Sequence, residues 1–268
     1  MISSRKSRDD VFESIDFIIG AFLIFVRVGA MVMTAPFFNV AVFPTRVKLF
    51  FAAMTSVLLF PIVPAEAVTP VMTQGAVFLL TVILVELLTG VAMGLVGQLV
   101  FAGIEMGGQL IAVQAALSFA NIVDSTSEIQ NTVVSNFYTT LAIIVFLTIG
   151  GDHLYLEALV YSFQIIPISG AALDLTTPHF IDLATYLFIA GVQLSAPFLI
   201  VLFMLNLSFA IFARIMPQAN IFFIALPVKM GIAIIMLHMV MPYLPVAFDG
   251  MFIRLFEYLG QVIEAMGG

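Results

Sequence analysis

Residues Phe17 to Phe38 read FIIGAFLIFVRVGAMVMTAPFF, a run of 22 residues in which Arg27 is the one charged side chain. As an α-helix this run would be about 33 Å long, enough to cross the hydrocarbon core of a bilayer. It predicts a membrane-spanning helix that ends near Pro36, because proline cannot continue the hydrogen-bond ladder. An unpaired arginine in the middle of such a helix is costly, so Arg27 needs a partner.

Three further apolar runs are long enough to span a bilayer. The first, Val77 to Phe101, carries Glu86. Proline interrupts the other two, which are Tyr186 to Phe212 with Pro197 and Ile221 to Met241 with Pro227.

Other apolar stretches have only 12 to 15 residues and predict short helices buried against protein. They are Leu49 to Val63, Tyr138 to Ile149 and Leu154 to Ile166. Between Phe248 and Met266 apolar residues recur at helical spacing. This pattern predicts an amphipathic C-terminal helix, lying at a membrane interface or packed on a partner.

The composition indicates an integral membrane protein or part of an equally apolar assembly. The chain has 268 residues, of which 62% are hydrophobic and 9% charged, and its mean hydropathy is +1.19. A soluble domain has about 25% charged residues. No Lys or Arg lies between Lys48 and Arg214, so the usual charge bias of membrane loops fails, and a simple bundle of spanning helices is not expected.

Several function classes are disfavoured. The chain has no cysteine, its three histidines are isolated, and its net charge is −7. These features argue against a metal site, a nucleic-acid partner and a thiol nucleophile. Because nucleotide-binding and hydrolase motifs are also absent, we expect no enzyme and no cofactor.

The segment Gly103 to Val134 is unusually polar, reading GIEMGGQLIAVQAALSFANIVDSTSEIQNTVV. Unpaired polar groups are expensive in lipid, so it must face water, line a cavity or be enclosed by protein. A pore lining or plug fits this requirement, and so does an ordinary extramembrane loop. Two small-xxx-small pairs, Gly90 with Gly94 and Gly103 with Gly107, predict close helix packing beside it.

Ionisable residues within apolar runs leave two hypotheses open. Glu86 or Glu105 could relay protons, or could pair with Arg27, with Lys229 or with charges on another subunit to fix register and assembly.

Four motifs resemble, in order and spacing, the FliR family of flagellar export-gate proteins. They are RVGAMVMTAPFF (Arg27 to Phe38), PTRVKLFFA (Pro44 to Ala52), GQLIAVQAALSFANIVD (Gly108 to Asp124) and ARIMPQANIFFIALPVKMG (Ala213 to Gly231).

The resemblance implies an all-α membrane protein with helical hairpins of uneven length and buried charges. One copy would join the smaller P and Q subunits in a conical helical complex, with B and A type export components nearby and membrane lipid around it. Unfolded flagellar proteins would pass through its centre. The protein would be located in the bacterial inner membrane at the flagellar basal body, with helices raised toward the periplasm.

The resemblance also implies a division of the chain and a set of site residues. A polar segment at 1–16 precedes a P-like part at 17–180, which includes a pore plug at 105–121, and a Q-like hairpin follows at 181–268. The plug residues are Glu105, Gly107, Gly108, Gln109, Gln114, Leu117, Ser118, Phe119 and Asn121. The assembly residues are Arg27, Pro36, Arg46, Lys48, Arg214, Pro217, Gln218, Asn220, Pro227 and Lys229.

Three alternatives remain at this level. An injectisome export gate contains a related subunit. A proton-coupled secondary transporter would use Glu86 or Glu105, with helices broken at Pro197 and Pro227. A purely structural membrane scaffold would need no polar segment at all.

Overall fold

Helices form the regular elements in the part of the chain that the computed structural model describes, namely residues 2–38, 44–62, 75–117, 132–168, 170–172, 176–218 and 220–268. In 2–16 and at 62 only the backbone is described. The predicted all-α class is confirmed. The α-helices are α1 (Ile2–Thr34), α2 (Thr45–Leu59), α3 (Ala76–Gln114), α4 (Val133–Thr148), α5 (Gly151–Ile165), α6 (Thr177–Ile215), α7 (Ile221–Val240) and α8 (Leu244–Gly267), and 3-10 turns occupy Phe60–Ile62 and Met241–Tyr243.

Four helical segments are long and apolar enough to cross a membrane, as the sequence predicts. They are Phe17–Thr34 in α1, the whole of α3 and of α6, and Ile221–Gly267, which runs through α7 and α8. The bent pair of α4 and α5 would count as a fifth, broken span. The chain is therefore a membrane protein by the length and composition of its helices.

The helices differ greatly in length. Both α3 and α6 have 39 residues, whereas α2 and α5 have 15 each and α4 has 16. The three short helices coincide with the three short apolar runs. Gly150 separates α4 from α5 with a φ of +74°, a conformation that residues with a side chain rarely adopt. Gly150 thus marks the break between the two predicted short helices.

Proline ends one helix and leaves two others intact. The first helix, α1, stops at Thr34, because the residue before Pro36 is disfavoured in a helix. Pro197 and Pro227 instead lie inside α6 and α7, which continue past them. The expectation of interruption there was wrong. Proline removes one ladder hydrogen bond, and membrane helices tolerate that loss when neighbouring groups compensate.

The polar segment after Phe101 begins as helix. The apolar run ends at Phe101, but α3 continues to Gln114. Its added residues include alanine, glutamine, methionine and leucine, which favour helices. Gln109 Nε2 also donates to Glu105 Oε1, one turn earlier, at 3.2 Å. The composition of α3 thus becomes more polar after Phe101, but the helix itself continues to Gln114.

The chain divides into two compact units, each assembled from separate stretches. Unit 1 comprises Met1–Gln98, Asp152–Asp182 and Leu255–Gly268, and unit 2 comprises Leu99–Gly151 and Leu183–Arg254. In unit 1 a cluster of buried and partly buried apolar side chains lines one side of α1. Its members are Leu23, Val82 and Ile168, with Ile19, Phe78, Leu79 and Ile83 packed against them.

Several aromatic rings pack against one another in the core of unit 2. The ring of Phe252 lies 5.4 Å from that of Phe101 and 5.2 Å from that of Phe146. Tyr138 and Phe248 form a second edge-to-face pair with centroids 6.0 Å apart. Such geometry adds about 0.5–1.5 kcal/mol per pair beyond area burial.

The C-terminal helix α8 is amphipathic, as its spacing predicts. Its apolar stripe, which includes Phe252, Leu255, Leu259 and Val262, is fully buried within this chain. We expected the stripe to face a membrane interface or a partner, and the chain covers it instead. Sequence periodicity identifies the buried face of a helix but not what buries it.

Candidate functional site

A buried ion pair joins α1 to α3. Arg27 Nε donates to Glu86 Oε2 at 2.6 Å, and Arg27 Nη2 donates to Glu86 Oε1 at 3.1 Å. Both side chains are 0% exposed. This two-point geometry is the strongest form of carboxylate recognition by arginine. The pairing of Arg27 with Glu86, one of the predicted alternatives, is confirmed.

The remaining donors of Arg27 point at the end of α5. Arg27 Nη1 donates to the carbonyl oxygens of Ser162 and Ile166, at 3.2 Å each. The guanidinium also lies over the ring of Phe163, 4.3 Å from its centroid. Carbonyl groups at a helix C-terminus lack partners within the helix and carry partial negative charge. Arg27 thus links α1, α3 and α5 through one set of charge-assisted contacts.

Sequence reasoning missed the α5 side of this network. Ser162, Phe163 and Ile166 carry no signal for it, because two of them contribute backbone carbonyl groups that every residue possesses. Tyr155 was missed for a similar reason. Its buried hydroxyl donates to the Met93 carbonyl at 2.7 Å, which ties α5 to α3 at a second point.

Glu86 is poorly placed for proton relay. A relay group must exchange its proton with water or with a neighbouring relay group, whereas Glu86 is fully buried and bound at both oxygens by Arg27. Glu105 is partly buried and accepts a hydrogen bond from Gln109. Together with the unbroken helices at Pro197 and Pro227, this arrangement disfavours the transporter hypothesis.

The first small-residue pair packs α3 against α1. A side chain at Gly90 would collide with the backbone oxygen of Arg27 and lie 2.8 Å from Ala30 Cβ. One turn later, Gly94 faces the side chain of Thr34. Close backbone approach at this pair brings α1 and α3 together around the ion pair, so the predicted close packing is confirmed in unit 1.

The second pair packs α3 against α6 in unit 2. A Cβ atom at Gly107 would lie 3.1 Å from the Gly191 carbonyl oxygen, and one at Gly103 would lie 3.2 Å from the Leu187 carbonyl oxygen. Gly108 is equally confined, with Ser135 Cα of α4 at 2.6 Å. Gly107 and Gly108 of the predicted plug are therefore packed closely against other helices.

The C-terminus of α3 has an unusual cap. Leu117 N donates to the Ala112 oxygen at 2.9 Å and Ala116 N to the Val113 oxygen at 3.2 Å, the hydrogen-bond pattern of a Schellman motif. Ala116 occupies the left-handed position with a φ of +61°. Glycine is the usual residue there, because a side chain costs about 1–2 kcal/mol in this conformation. The predicted plug therefore contains a strained turn directly after α3.

The predicted plug residues fall into two groups. Glu105, Gly107, Gly108 and Gln109 belong to α3, which ends at Gln114, and Leu117 completes the cap. Ser118, Phe119 and Asn121 lie outside the described residues.

The predicted assembly residues of unit 1 differ in exposure. Pro36 approaches the position of Gly97, where a Cβ atom would lie 3.0 Å from Pro36 Cδ. Lys48 is buried and has intrachain contacts, whereas Arg46 is exposed. With Arg27 also buried, Arg46 is the charged member of this group whose side chain is exposed.

The remaining assembly residues lie on the C-terminal hairpin, which we define as residues 201–240 of α6 and α7 with their connecting turn. Arg214, Pro217, Gln218 and Asn220 are all exposed at the turn. Pro227 is exposed and Lys229 half-buried on α7.

Large apolar side chains are exposed on both helices of this hairpin. Ile211 is 62% exposed on α6, and Phe223 is 70% exposed on α7. Others with more than half of their surface exposed are Phe203, Met204, Phe212, Ile215, Met216, Phe222, Ile224, Ile234, Ile235 and Met239. An apolar surface of this extent requires lipid or protein to cover it.

Comparison with known proteins agrees with the motifs. Residues 18–255 match the family described as Bacterial export proteins, family 1. The flagellar biosynthetic protein FliR of Pectobacterium carotovorum subsp. carotovorum is 33% identical, covering 90% of this chain and 92% of that protein. FliR of Escherichia coli strain K12 is 31% identical over 90% and 91%, and FliR of Aquifex aeolicus is 28% identical over 96% and 99%. The resemblance drawn from the motifs is confirmed, and this chain belongs to the bacterial export protein family 1.

Proposed function

We propose that this chain is a non-enzymatic core subunit of the flagellar type III protein export gate, embedded in the bacterial inner membrane. The observation that carries the proposal is the match of most of the chain to FliR proteins of flagellar biosynthesis. Four membrane-length helices and the exposed apolar hairpin support it, because both suit a subunit embedded among lipid and other membrane proteins.

The proposed partners are the P and Q subunits, with one copy of this chain per complex, and B and A type components around them. The C-terminal hairpin is the proposed assembly surface. Its exposed apolar side chains favour burial against another apolar helix pair, and Arg214 and Asn220 at its turn offer hydrogen-bond donors to a neighbour. Arg27 and Lys48 are buried, so their contribution to assembly is to position their own helices.

The proposed plug is the segment 105–121. The packed part of α3 supports this by offering a rigid base, since Gly107 and Gly108 are confined by neighbouring helices. Unfolded flagellar proteins would pass where the segment beyond Leu117 is displaced. Division of the chain into a P-like part at 17–180 and a Q-like part at 181–268 remains a proposal, as does elevation toward the periplasm.

A narrow replacement tests the plug better than a long deletion. Removing 105–121 would also remove the packing at Gly108, so loss of fold and loss of gating would be confused. Replacing Ser118 to Asn121 with four Gly-Ser residues keeps α3 intact. We expect the closed complex to leak ions in proteoliposomes. Unchanged ion permeability would contradict the plug assignment.

Native mass spectrometry tests the function directly. The chain is co-expressed with the candidate P and Q subunits and extracted in mild detergent. The proposal predicts one heteromeric mass that contains a single copy of this chain. A monomer or homodimer free of partners would refute it.

A further inference from the structure

A groove between α5 and the second half of α8 lies within unit 1 and has a volume of about 550 Å³. The two helices run in the same direction. Tyr155 near the start of α5 meets Phe256 at the middle of α8, with ring centroids 6.4 Å apart, and Ile165 borders Gly267 where both helices end. The groove therefore extends along more than two helical turns.

Space for a further side chain exists along the groove. Small residues, Ala158 of α5 and Gly260 of α8, contribute to its lining. A Cβ atom added at Gly260 would meet no other atom within 4 Å. Elsewhere the lining is mainly apolar, from Leu154, Phe256 and Ile263. An apolar side chain entering here would be removed from water at about 25 cal/mol per Å² of surface.

Acidic side chains border the groove on both helices. Glu157 on α5 lines it and is exposed, and Glu264 is exposed on α8 next to the lining residue Ile263. Neither α5 nor the stretch 255–267 contains a lysine or arginine.

These charges indicate which kind of molecule can occupy the groove. Hydrocarbon chains would place the carboxylates of Glu157 and Glu264 against apolar groups, at a cost of several kcal/mol each. Anionic lipid headgroups would be repelled. A helix with one apolar face and basic residues beside it satisfies both the apolar groove and its acidic borders.

We propose that the α5–α8 groove binds an amphipathic helix of another protein, with Lys or Arg residues flanking the apolar face that enters at Gly260. The inference rests on the proposed function in one respect, the expectation that this protein is another export-gate component. The basic residues of the bound helix pair with Glu157 on one border and Glu264 on the other.

Photo-crosslinking identifies the occupant. Tyr161 lines the groove and is 38% exposed, so p-benzoylphenylalanine at this position reports on what enters. We expect one peptide adduct, from a helix with at least two Lys or Arg residues beside an apolar face. The same group at Tyr243, which is exposed in unit 2, is the matched control and should not give that adduct.

Two further variants test the mechanism of binding. Gly260→Leu fills the open space and should lower the adduct yield at least about tenfold, the size expected when an interface contact is lost. Gly29→Leu is its control in the same unit, because a Cβ atom there also meets nothing within 4 Å. Glu157→Lys should abolish the adduct, and a Lys→Glu change in the crosslinked peptide should restore it.

The contrary outcomes are distinct from failure of the proposed function. A lipid adduct, an adduct with a helix that lacks basic residues, or no adduct from a variant that still forms the heteromeric complex would overturn the groove inference while leaving the export-gate function intact. If neither the wild-type chain nor its variants form the heteromeric complex, the result would count against both the groove inference and the export-gate function.

Discussion

The buried charge pair that joins α1 to α3 and the polar residues at the turn of the C-terminal hairpin have opposite surroundings. Arg27 donates to both oxygens of Glu86, and the carbonyl groups of Ser162 and Ile166 accept further hydrogen bonds from Arg27. Arg214 and Asn220 are exposed, beside apolar side chains that are also exposed. The chain itself supplies the partners of the buried charges, whereas it leaves the apolar surface of the hairpin uncovered.

This difference separates folding from assembly. A buried charge pair is stable only when both members have hydrogen-bond partners for all their polar groups. Here the folded chain supplies those partners without another subunit. An apolar surface with a polar turn reports the reverse, because it gains free energy only when something covers it. Changes in the first region should act on the subunit, and changes in the second should act on the complex.

Removing Glu86 should have the largest effect on the isolated chain. Glu86→Leu leaves Arg27 buried without its counter-charge and should lower the free energy of unfolding by about 3–5 kcal/mol. Thermal denaturation of the full chain in detergent measures this loss. The double variant Arg27→Met with Glu86→Leu should recover most of it. If the double variant is as unstable as the single one, the charge pair is not the reason for the loss.

Filling the close contact at Gly90 should cost less. Gly90→Val pushes a side chain into the Arg27 carbonyl group and Ala30, and should destabilise the chain by about 1–3 kcal/mol. The same denaturation experiment applies. Gly29→Val is the control, because a side chain there has open space. Equal losses at both positions would show that helix propensity, and not close packing, is being measured.

Relieving the cap of α3 should stabilise the chain slightly. Ala116→Gly removes a side chain from the left-handed region and should gain about 1 kcal/mol. Ala112→Gly, inside the helix, should instead lose about 1 kcal/mol. A loss in both variants would contradict the strained geometry at Ala116.

Lys229→Ala should leave the isolated chain almost unchanged, within about 0.5 kcal/mol, because its side chain is only half-buried. The heteromeric complex should nevertheless fail to form, as native mass spectrometry would reveal. Lys229→Arg, which keeps the charge, should retain part of the complex. A normal yield of complex from Lys229→Ala would place assembly elsewhere.

The sequence by itself determined the class of the protein and most of its helices. Apolar runs longer than about 20 residues and charged residues confined to few positions leave little choice except membrane helices. Glycine pairs at helical spacing predicted close packing, and the motif at Ala213 to Gly231 identified the family. These properties are local, so a single stretch of residues is sufficient to reveal them.

Tertiary structure alone decided which charges meet and which faces are covered. Arg27 and Glu86 are 59 positions apart, and Arg27 could equally have paired with Glu105 as far as spacing shows. The carbonyl of Ile166 gives no signal in a sequence, since every residue has one. Likewise, the apolar stripe of α8 and the exposed side chains of the hairpin consist of the same residue types, so the sequence does not distinguish them. Only the packing of distant segments determines which of them the chain itself buries, because burial depends on every neighbour at once.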